Sequence, residues 1–429
     1  MRLLYTIGIW FYTLGVRFAA LCGHRNARLM VQGWRECVNG LMRQCVSDNT
    51  ITQSRNHATR TAWFHAASLG EFEQARPVLE AYKQRHPESR IVVSFFSPSG
   101  YEVRKNYALA DAVIYLPMDT LRNARRLVEA LQPTIAFFVK YEFWFNYLDE
   151  LKKHGIPTYI FSSIFRPQQY FFKWYGGWFR RQLQRCFTHL FVQNTESLEL
   201  LKSHGIIHCS IAGDTRFDRV HQIALAAEPD AVAERFLDGY DGRVLVGGST
   251  WPPDEQILAH VRDTNGDWFP GRIILAPHVI GEEHLKQIEV LFPESIRYSV
   301  LKDLKDPKDL KGPKLLIIDN IGILSKLYRY ADVAYIGGGF GVGIHNILEA
   351  VTFGKPVFFG PNYHKFQEAH DIIAHGGGWS IHGENDMEEG DFMRLLTHPE
   401  ELQRASKACT DYMSQNLGST EKILSTIEK

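Results

Sequence analysis

The stretch "IGGGFGVGIHNILEA" (336–350) decides how the chain is read. It follows an apolar run, Val333 to Ile336, and opens onto a segment with helical spacing. A dinucleotide fingerprint needs G-x-G-x-x-G. Gly337, Gly338, Gly339, Gly341 and Gly343 do not give that spacing. The continuation "HNILEAVTFGKPVFFG" gives a short helix, a stop at Gly354 and a further apolar strand. Strand, glycine turn, helix and strand make one unit of a parallel sheet.

The same alternation extends in both directions. Before it lie "RVLVGGS", "RIILAP" and "KLLIIDN"; after it lie "KPVFFG" and "GWSIHG". An earlier series, "TAWFHA", "RIVVSFF", "AVIYLP", "TIAFFV", "PTYIFSS" and "HLFVQN", is interleaved with amphipathic stretches such as "TLRNARRLVEALQ". Near-continuous apolar strands separated by helices predict parallel sheets covered on both faces. The segment 220–242 joins the two series, so the chain reads as two similar α/β halves meeting near residue 219. Ligands of such sheets bind beyond the carboxyl ends of the strands.

Composition sets outer limits. The 429 residues are enough for two or three domains, and 45% hydrophobic residues with 22% charged ones suit a full core. Formal net charge is zero, which gives no global attraction to nucleic acid. Six cysteines, Cys22, Cys37, Cys45, Cys186, Cys209 and Cys409, include no C-x-x-C pair. That argues against a zinc site and for a reducing compartment. The N-terminal "MRLLYTIGIWFYTLGVRFAALCG" is apolar apart from Arg2 and Arg17, with aromatic residues suited to a membrane interface. Residues 1–22 are expected to form an anchor, spanning or interfacial, on which the catalytic core does not depend. A buried N-terminal helix is the other reading.

The strand ends carry the candidate chemistry. In the second half, Ser249 and Thr250 in "GGSTWPPDE" offer hydroxyls near a helix start, suited to phosphate oxygens or to capping alone. Pro277 and His278 follow the next strand. Gly322 in "IDNIGIL" permits close backbone approach to a ligand. Asn346 and Glu349, three apart, share a face; the carboxylate suits a ribose diol or a capping box equally. In the first half, Ser68, Gly70 and Glu71 open a helix after a strand, where an acid can be a general base or can stabilise the helix dipole. Lys140 and Glu142 follow another strand and read as site residues or as an exposed salt bridge. Arg216 stands where the halves meet. "RPQQYFFKWYGGWFRRQLQR" (166–185) mixes rings and bases, suited to anionic lipid, to a partly buried amphipathic helix, or least of all to single-stranded nucleic acid.

In order, "SLGEFEQARP", "YEFWFN", "AGDTRFD", "GGST", "DNIGIL" and "VGIHNILEAVTFGKPVFFGP" resemble the 3-deoxy-D-manno-octulosonic acid (Kdo) transferases of lipid A assembly over about residues 60–425. The resemblance implies a GT-B fold, two Rossmann-like domains facing across a cleft. Its expected divisions are 1–22 for the anchor, 23–218 for an acceptor domain, 219–405 for a donor domain, and 406–429 for a C-terminal helix returning to the first domain. It implies an inverting, metal-independent glycosyltransferase without cofactor, acting in lipopolysaccharide core assembly at the cytoplasmic side of the inner membrane. Its partners would be CMP-Kdo, a lipid A precursor (a tetraacyl disaccharide phosphate) and membrane lipids, with no nucleic acid.

By motif position Glu71 matches the catalytic base, and Glu142 and Arg216 match transition-state support. Ser68, Gly70, Lys140 and Arg166 fall on the acceptor side. Ser249, Thr250, Pro277, His278, Ile321, Gly322, Ile323, Asn346, Ile347, Leu348 and Glu349 fall on the donor side. The chain departs from the family's usual residues at Lys140, Tyr141, Phe145, Arg216, His278 and Ile323. Of these, His278 bears on the phosphate contact and Lys140 on acceptor geometry. The alternatives are another GT-B enzyme, a UDP-sugar transferase or epimerase, and a non-catalytic nucleotide- or lipid-binding protein.

Overall fold

In the computed structural model, residues 1–41, 60–265, 271–304, 312–388 and 390–428 are described. The chain divides into two compact units. One comprises Met1–Arg219 with Leu417–Lys429, the other Val220–Asn416.

The first unit is built on β1 (Thr61–Ala66), β2 (Arg90–Phe95), β3 (Ala112–Tyr115), β4 (Ile135–Val139), β5 (Thr158–Ser163), β6 (His189–Val192) and β7 (Cys209–Ile211). They pair in parallel in the order 3-2-1-4-5-6-7. Alternate residues feed opposite faces. Trp63 and Phe138 enter one core cluster, Phe64 and Phe137 the other. That two-sided burial is why β1 is buried at every position. The second unit has β8 (Val244–Thr250), β9 (Arg272–Pro277), β10 (Ser295–Arg297), β11 (Leu315–Ile317), β12 (Val333–Ile336), β13 (Val357–Phe359) and β14 (Gly378–Ser380). Its parallel order is 10-11-9-8-12-13-14. Two seven-stranded parallel sheets bear out the expected α/β class.

Both sheets reverse their winding at a central strand. Connections run one way from β1 to β2 and the other way to β4; the same holds for β8 between β9 and β12. Crevices beyond such reversal points are where doubly wound sheets take ligands. The segments after β1, β4, β8 and β12 contain most of the candidate residues.

Two expectations about the termini need correction. The C-terminal segment read as one helix over 406–429 is two, Pro399–Asn416 and Ser419–Ile427, separated at Gly418 with φ 88°. The first packs with the second unit and the second with the first unit. Asp218 fixes that return by accepting the Gly418 and Thr420 N–H groups at 2.8 and 2.6 Å. The helix α1 (Arg2–Leu21) is long and apolar enough to cross a membrane by length and composition, but it is not detached from the first unit. The Tyr5 hydroxyl donates to Asp119 at 2.5 Å, its ring lies against Phe145 and Trp178, and Ile9 and Val16 pack on Trp34, Tyr115 and Met118. The opposite face, Leu3, Leu4, Trp10, Phe11, Leu14, Phe18 and Leu21, is an exposed apolar stripe. Cys22, Cys186, Cys209 and Cys409 are free thiols; Cys45 lies outside the described residues.

Candidate active site

In the first unit the reversal point brings two carboxylates together. Glu71 is the third residue of the helix Leu69–Arg85 after β1, and its Oε2 accepts the Ser68 N–H at 2.9 Å and the Ser68 hydroxyl at 3.2 Å. The capping box and the candidate base are therefore the same residue. Burial raises the Glu71 pKa above the usual carboxylate value, and the nearby charge of Glu142 raises it further; Ser68, Lys140 and His65 act in the opposite sense. A carboxylate with enhanced proton affinity is suited to accept a proton from a hydroxyl.

Glu142 is not on a solvated edge with Lys140. Its Oε2 receives the Trp144 indole N–H at 2.6 Å and meets His65 Nε2 at 3.0 Å. His65 Nδ1 reaches Ser94 Oγ at 2.8 Å, and Trp63 donates to the same oxygen at 2.8 Å. His65 is the penultimate residue of β1 and is fully buried. Sequence reading passed over it because its neighbours are apolar; a histidine inside such a strand is the signal that was available.

Arg216 is held by a second cluster. Its Nε and backbone N–H donate to Asp214 at 2.8 and 2.9 Å. Asp214 also accepts from Gln74 and Gln193 at 2.9 and 3.2 Å. Gln74, Gln193 and Asp214 were not foreseen. Gly70 is exposed, and a Cβ there would meet nothing within 4 Å. Arg166 is exposed, its N–H donating to Gln169 at 3.1 Å. Lys140 has φ 56°, Ser162 at the end of β5 has 54°, and Ser249 at the end of β8 has 52°. Such conformations are uncommon outside glycine and gather at functional sites. Register shifts mark bulges at Ile160/Ser163 and Gly248/Thr250. The second bulge re-aims the backbone at Ser249.

In the second unit, Trp251, His278 and His345 form a stack, with centroids 4.7 Å apart for Trp251–His278 and 4.5 Å for His278–His345. Burial, then the proximity of His278, lowers the His345 pKa. Neither Trp251 nor His345 was anticipated. Asn346 donates to Glu349 at 3.0 Å and accepts the Leu348 N–H at 3.2 Å. Burial raises the Glu349 pKa, and the Asn346 contact lowers it. Gly322 has φ 95° beside the exposed Ile321 and the half-buried Ile323.

Four donor-side expectations change. Thr250 is fully buried and its hydroxyl donates to Glu255 at 2.9 Å, so it is not offered to a phosphate. Pro277, Ile347 and Leu348 are buried, so their side chains are not offered to a ligand.

The glycines, too, have a structural task. A Cβ at Gly337 would lie 2.3 Å from the Ser249 carbonyl oxygen, and one at Gly339 2.5 Å from Gly360 N. Asp254 ties the turn to the rest by accepting the Gly338 and Trp251 N–H groups at 3.0 and 2.9 Å and the Tyr335 hydroxyl at 2.8 Å. Gly341 is different: its Cβ would meet only Gly338 O at 3.6 Å. Gly339→Ala should therefore cost roughly 1–3 kcal/mol through forced backbone movement, while Gly341→Ala leaves thermal unfolding unchanged. Equal melting temperatures for the two variants would contradict the packing described.

The aromatic segment 166–185 splits. Phe171 is buried and Phe172, Trp178 and Phe179 pack against the core. Trp174 is 94% exposed, and Arg185 is paired with Asp149. Among the described residues no group of three or more His, Cys, Asp or Glu side chains could hold a metal ion.

Comparison with known proteins fits this geometry. Residues 42–219 match the family model described as 3-deoxy-D-manno-octulosonic-acid transferase (kdotransferase). A 3-deoxy-D-manno-octulosonic acid transferase of Chlamydophila psittaci is 27% identical over 79% of this chain and 78% of its own. That of Aquifex aeolicus is 23% identical over 78% and 86%. In fold the chain is similar to UDP-GlcNAc 2-epimerase from Neisseria meningitidis, with TM-score 0.59, 14% identity and coverage of 86% and 99%. It is also similar to MurG from Acinetobacter baumannii, with TM-score 0.54, 11% identity and the same coverage. These two share its GT-B-like architecture. With the family match lying on the unit that carries Glu71 and Glu142, and relatives matching through both units, the chain is similar to the 3-deoxy-D-manno-octulosonic acid transferases.

Proposed function

We propose that the protein transfers Kdo from CMP-Kdo to a lipid A precursor, a tetraacyl disaccharide phosphate, with inversion at the anomeric carbon. The observation that carries the mechanism is Glu71, a carboxylate of raised proton affinity at the reversal point of the first sheet. An acceptor hydroxyl attacks the anomeric carbon, Glu71 takes its proton, and the bond to the CMP phosphate breaks with its electrons leaving on CMP. Glu142, pinned by His65 and Trp144, keeps Glu71 basic. Arg216, oriented by Asp214, supplies positive charge to the developing anion. Ser68, Gly70, Lys140 and Arg166 are assigned to the acceptor.

In the second unit Ser249, His278 and Asn346 are the polar side chains assigned to CMP. The backbone of Pro277, Ile321–Ile323 and Ile347–Leu348 is assigned to it as well, and Glu349 to the ribose diol. Glu349→Ala should weaken CMP binding by roughly 1.5–3 kcal/mol, the cost of losing hydrogen bonds to a charged acceptor. Calorimetry with CMP and, separately, UDP tests the donor assignment. Wild type should bind CMP in preference to UDP and the variant should lose that binding. CMP affinity unchanged by the substitution would leave Glu349 as the partner of Asn346 only.

The setting we propose is the cytoplasmic face of the inner membrane, with α1 lying in the interface. Support comes from its two faces. Tyr5, Ile9 and Val16 hold successive turns against the first unit, while Leu3, Phe11, Leu14 and Phe18 point away. A helix that crossed the bilayer would have to leave those contacts; one lying in the interface keeps them and buries the stripe.

A further inference from the structure

Beside Glu142 the first unit contains a cavity of about 490 Å³. Its walls come from three places: Tyr5 and Ile9 of α1, Phe143, Trp144 and Phe145 after β4, and Phe179 of the aromatic segment. Glu142 is the one carboxylate among the described residues lining it. Two of the polar ring atoms are engaged elsewhere, while Tyr141, Tyr170 and Tyr175 add hydroxyls at the lining. The Tyr5 hydroxyl is given to Asp119, and the Trp144 N–H to Glu142. Most of what faces the space is ring and aliphatic surface, which suits a largely apolar occupant.

We propose that this cavity receives one acyl chain of the acceptor, so that α1 is a wall of the acceptor site as well as a membrane contact. The proposal rests on the acceptor being a lipid, as read above. Three features favour an acyl chain of the acceptor itself. First, the cavity borders the candidate active site, because Glu142 lines the one and its charge acts on Glu71 in the other. A chain seated there sets the position of the sugar it is attached to, which is how remote binding lowers the cost of alignment. Second, the Glu142 carboxylate opposes the carboxylate of a free fatty acid and leaves an ester- or amide-linked chain unaffected. Third, α1 presents its outer stripe for the interface while its inner face walls the cavity, so a chain passes from bilayer to cavity along one helix.

The test uses the purified full-length chain on liposomes. One probe is a tetraacyl disaccharide phosphate bearing a diazirine midway along an acyl chain; the comparison probe is a phospholipid with the same modified chain. After illumination, labelled peptides are located by mass spectrometry. The expected result is labelling at Ile9, Phe145 and Phe179, several-fold stronger with the acceptor probe than with the phospholipid. Ile9→Trp, which fills the space, should suppress that labelling and raise KM for the acceptor while label on the outer stripe persists. If Ile9→Trp does not fold, the wild-type pattern decides. Equal labelling by both probes would assign the cavity to any bilayer lipid and overturn the proposal. So would acceptor label confined to Phe11 and Phe18. Transfer of Kdo to the probe is measured in parallel. Its absence would remove the functional reading, whereas misplaced label with transfer intact would remove only the cavity assignment.

Discussion

Glu71→Gln lowers Kdo transfer by on the order of 10²–10⁴-fold, the usual range for loss of a general base, while CMP binding and the melting temperature stay close to wild type. The amide keeps the size of the side chain and its acceptor oxygen for the Ser68 N–H, so the helix start survives and only the proton acceptor is lost. The pH profile gives the second half of the test. The base works only when ionised, so transfer falls as pH drops through the Glu71 pKa. Burial and then Glu142 hold that pKa above the ordinary carboxylate value. Removing the neighbouring charge with Glu142→Gln should move the acid limb to lower pH, whatever it does to the maximal rate. An acid limb that stays in place in Glu142→Gln, or full transfer in Glu71→Gln, would take the base role from Glu71.

The double substitution Phe11→Ser with Phe18→Ser releases the protein from liposomes without unfolding it. Both rings are largely exposed, at 72% and 68%. Each is worth about 1.5–3 kcal/mol when buried in an apolar phase. Losing both should reduce partitioning by roughly two to four orders of magnitude on the same scale. Tyr5→Phe is the contrasting change. It removes a hydroxyl from Asp119, whose carboxyl is pushed up to about 6 by burial and is also bonded to the Asn146 and Tyr147 N–H groups. That variant should lose stability and keep membrane binding. Unchanged co-sedimentation of the double variant would mean that the stripe is not the membrane contact.

The sheets were legible because parallel strands buried on both faces are apolar at nearly every position. "TAWFHA" coincides with β1. What escaped were β7 and β10, three-residue edge strands with polar members, Ser210 and Ser295, too short to show a period. Site residues at strand ends could be proposed from topology alone. Their supports could not: Gln74 and Asp214 are 140 residues apart in the chain. The glycine turn shows a different limit. Period and composition do not distinguish a backbone that must approach a ligand from one that must approach Ser249 or Gly360. In α1, one face had to serve the protein and the other the solvent or lipid. An almost uniformly apolar helix hides that division in sequence.

The most direct measurement is a transfer assay in which purified protein, CMP-Kdo and the tetraacyl disaccharide phosphate are combined and the lipid is read by mass. The account predicts a lipid heavier by whole Kdo units, with CMP released in equal amount and no product in Glu71→Gln. An unmodified lipid in the presence of folded, CMP-binding protein, or a lipid modified only when a UDP-sugar replaces CMP-Kdo, would contradict it.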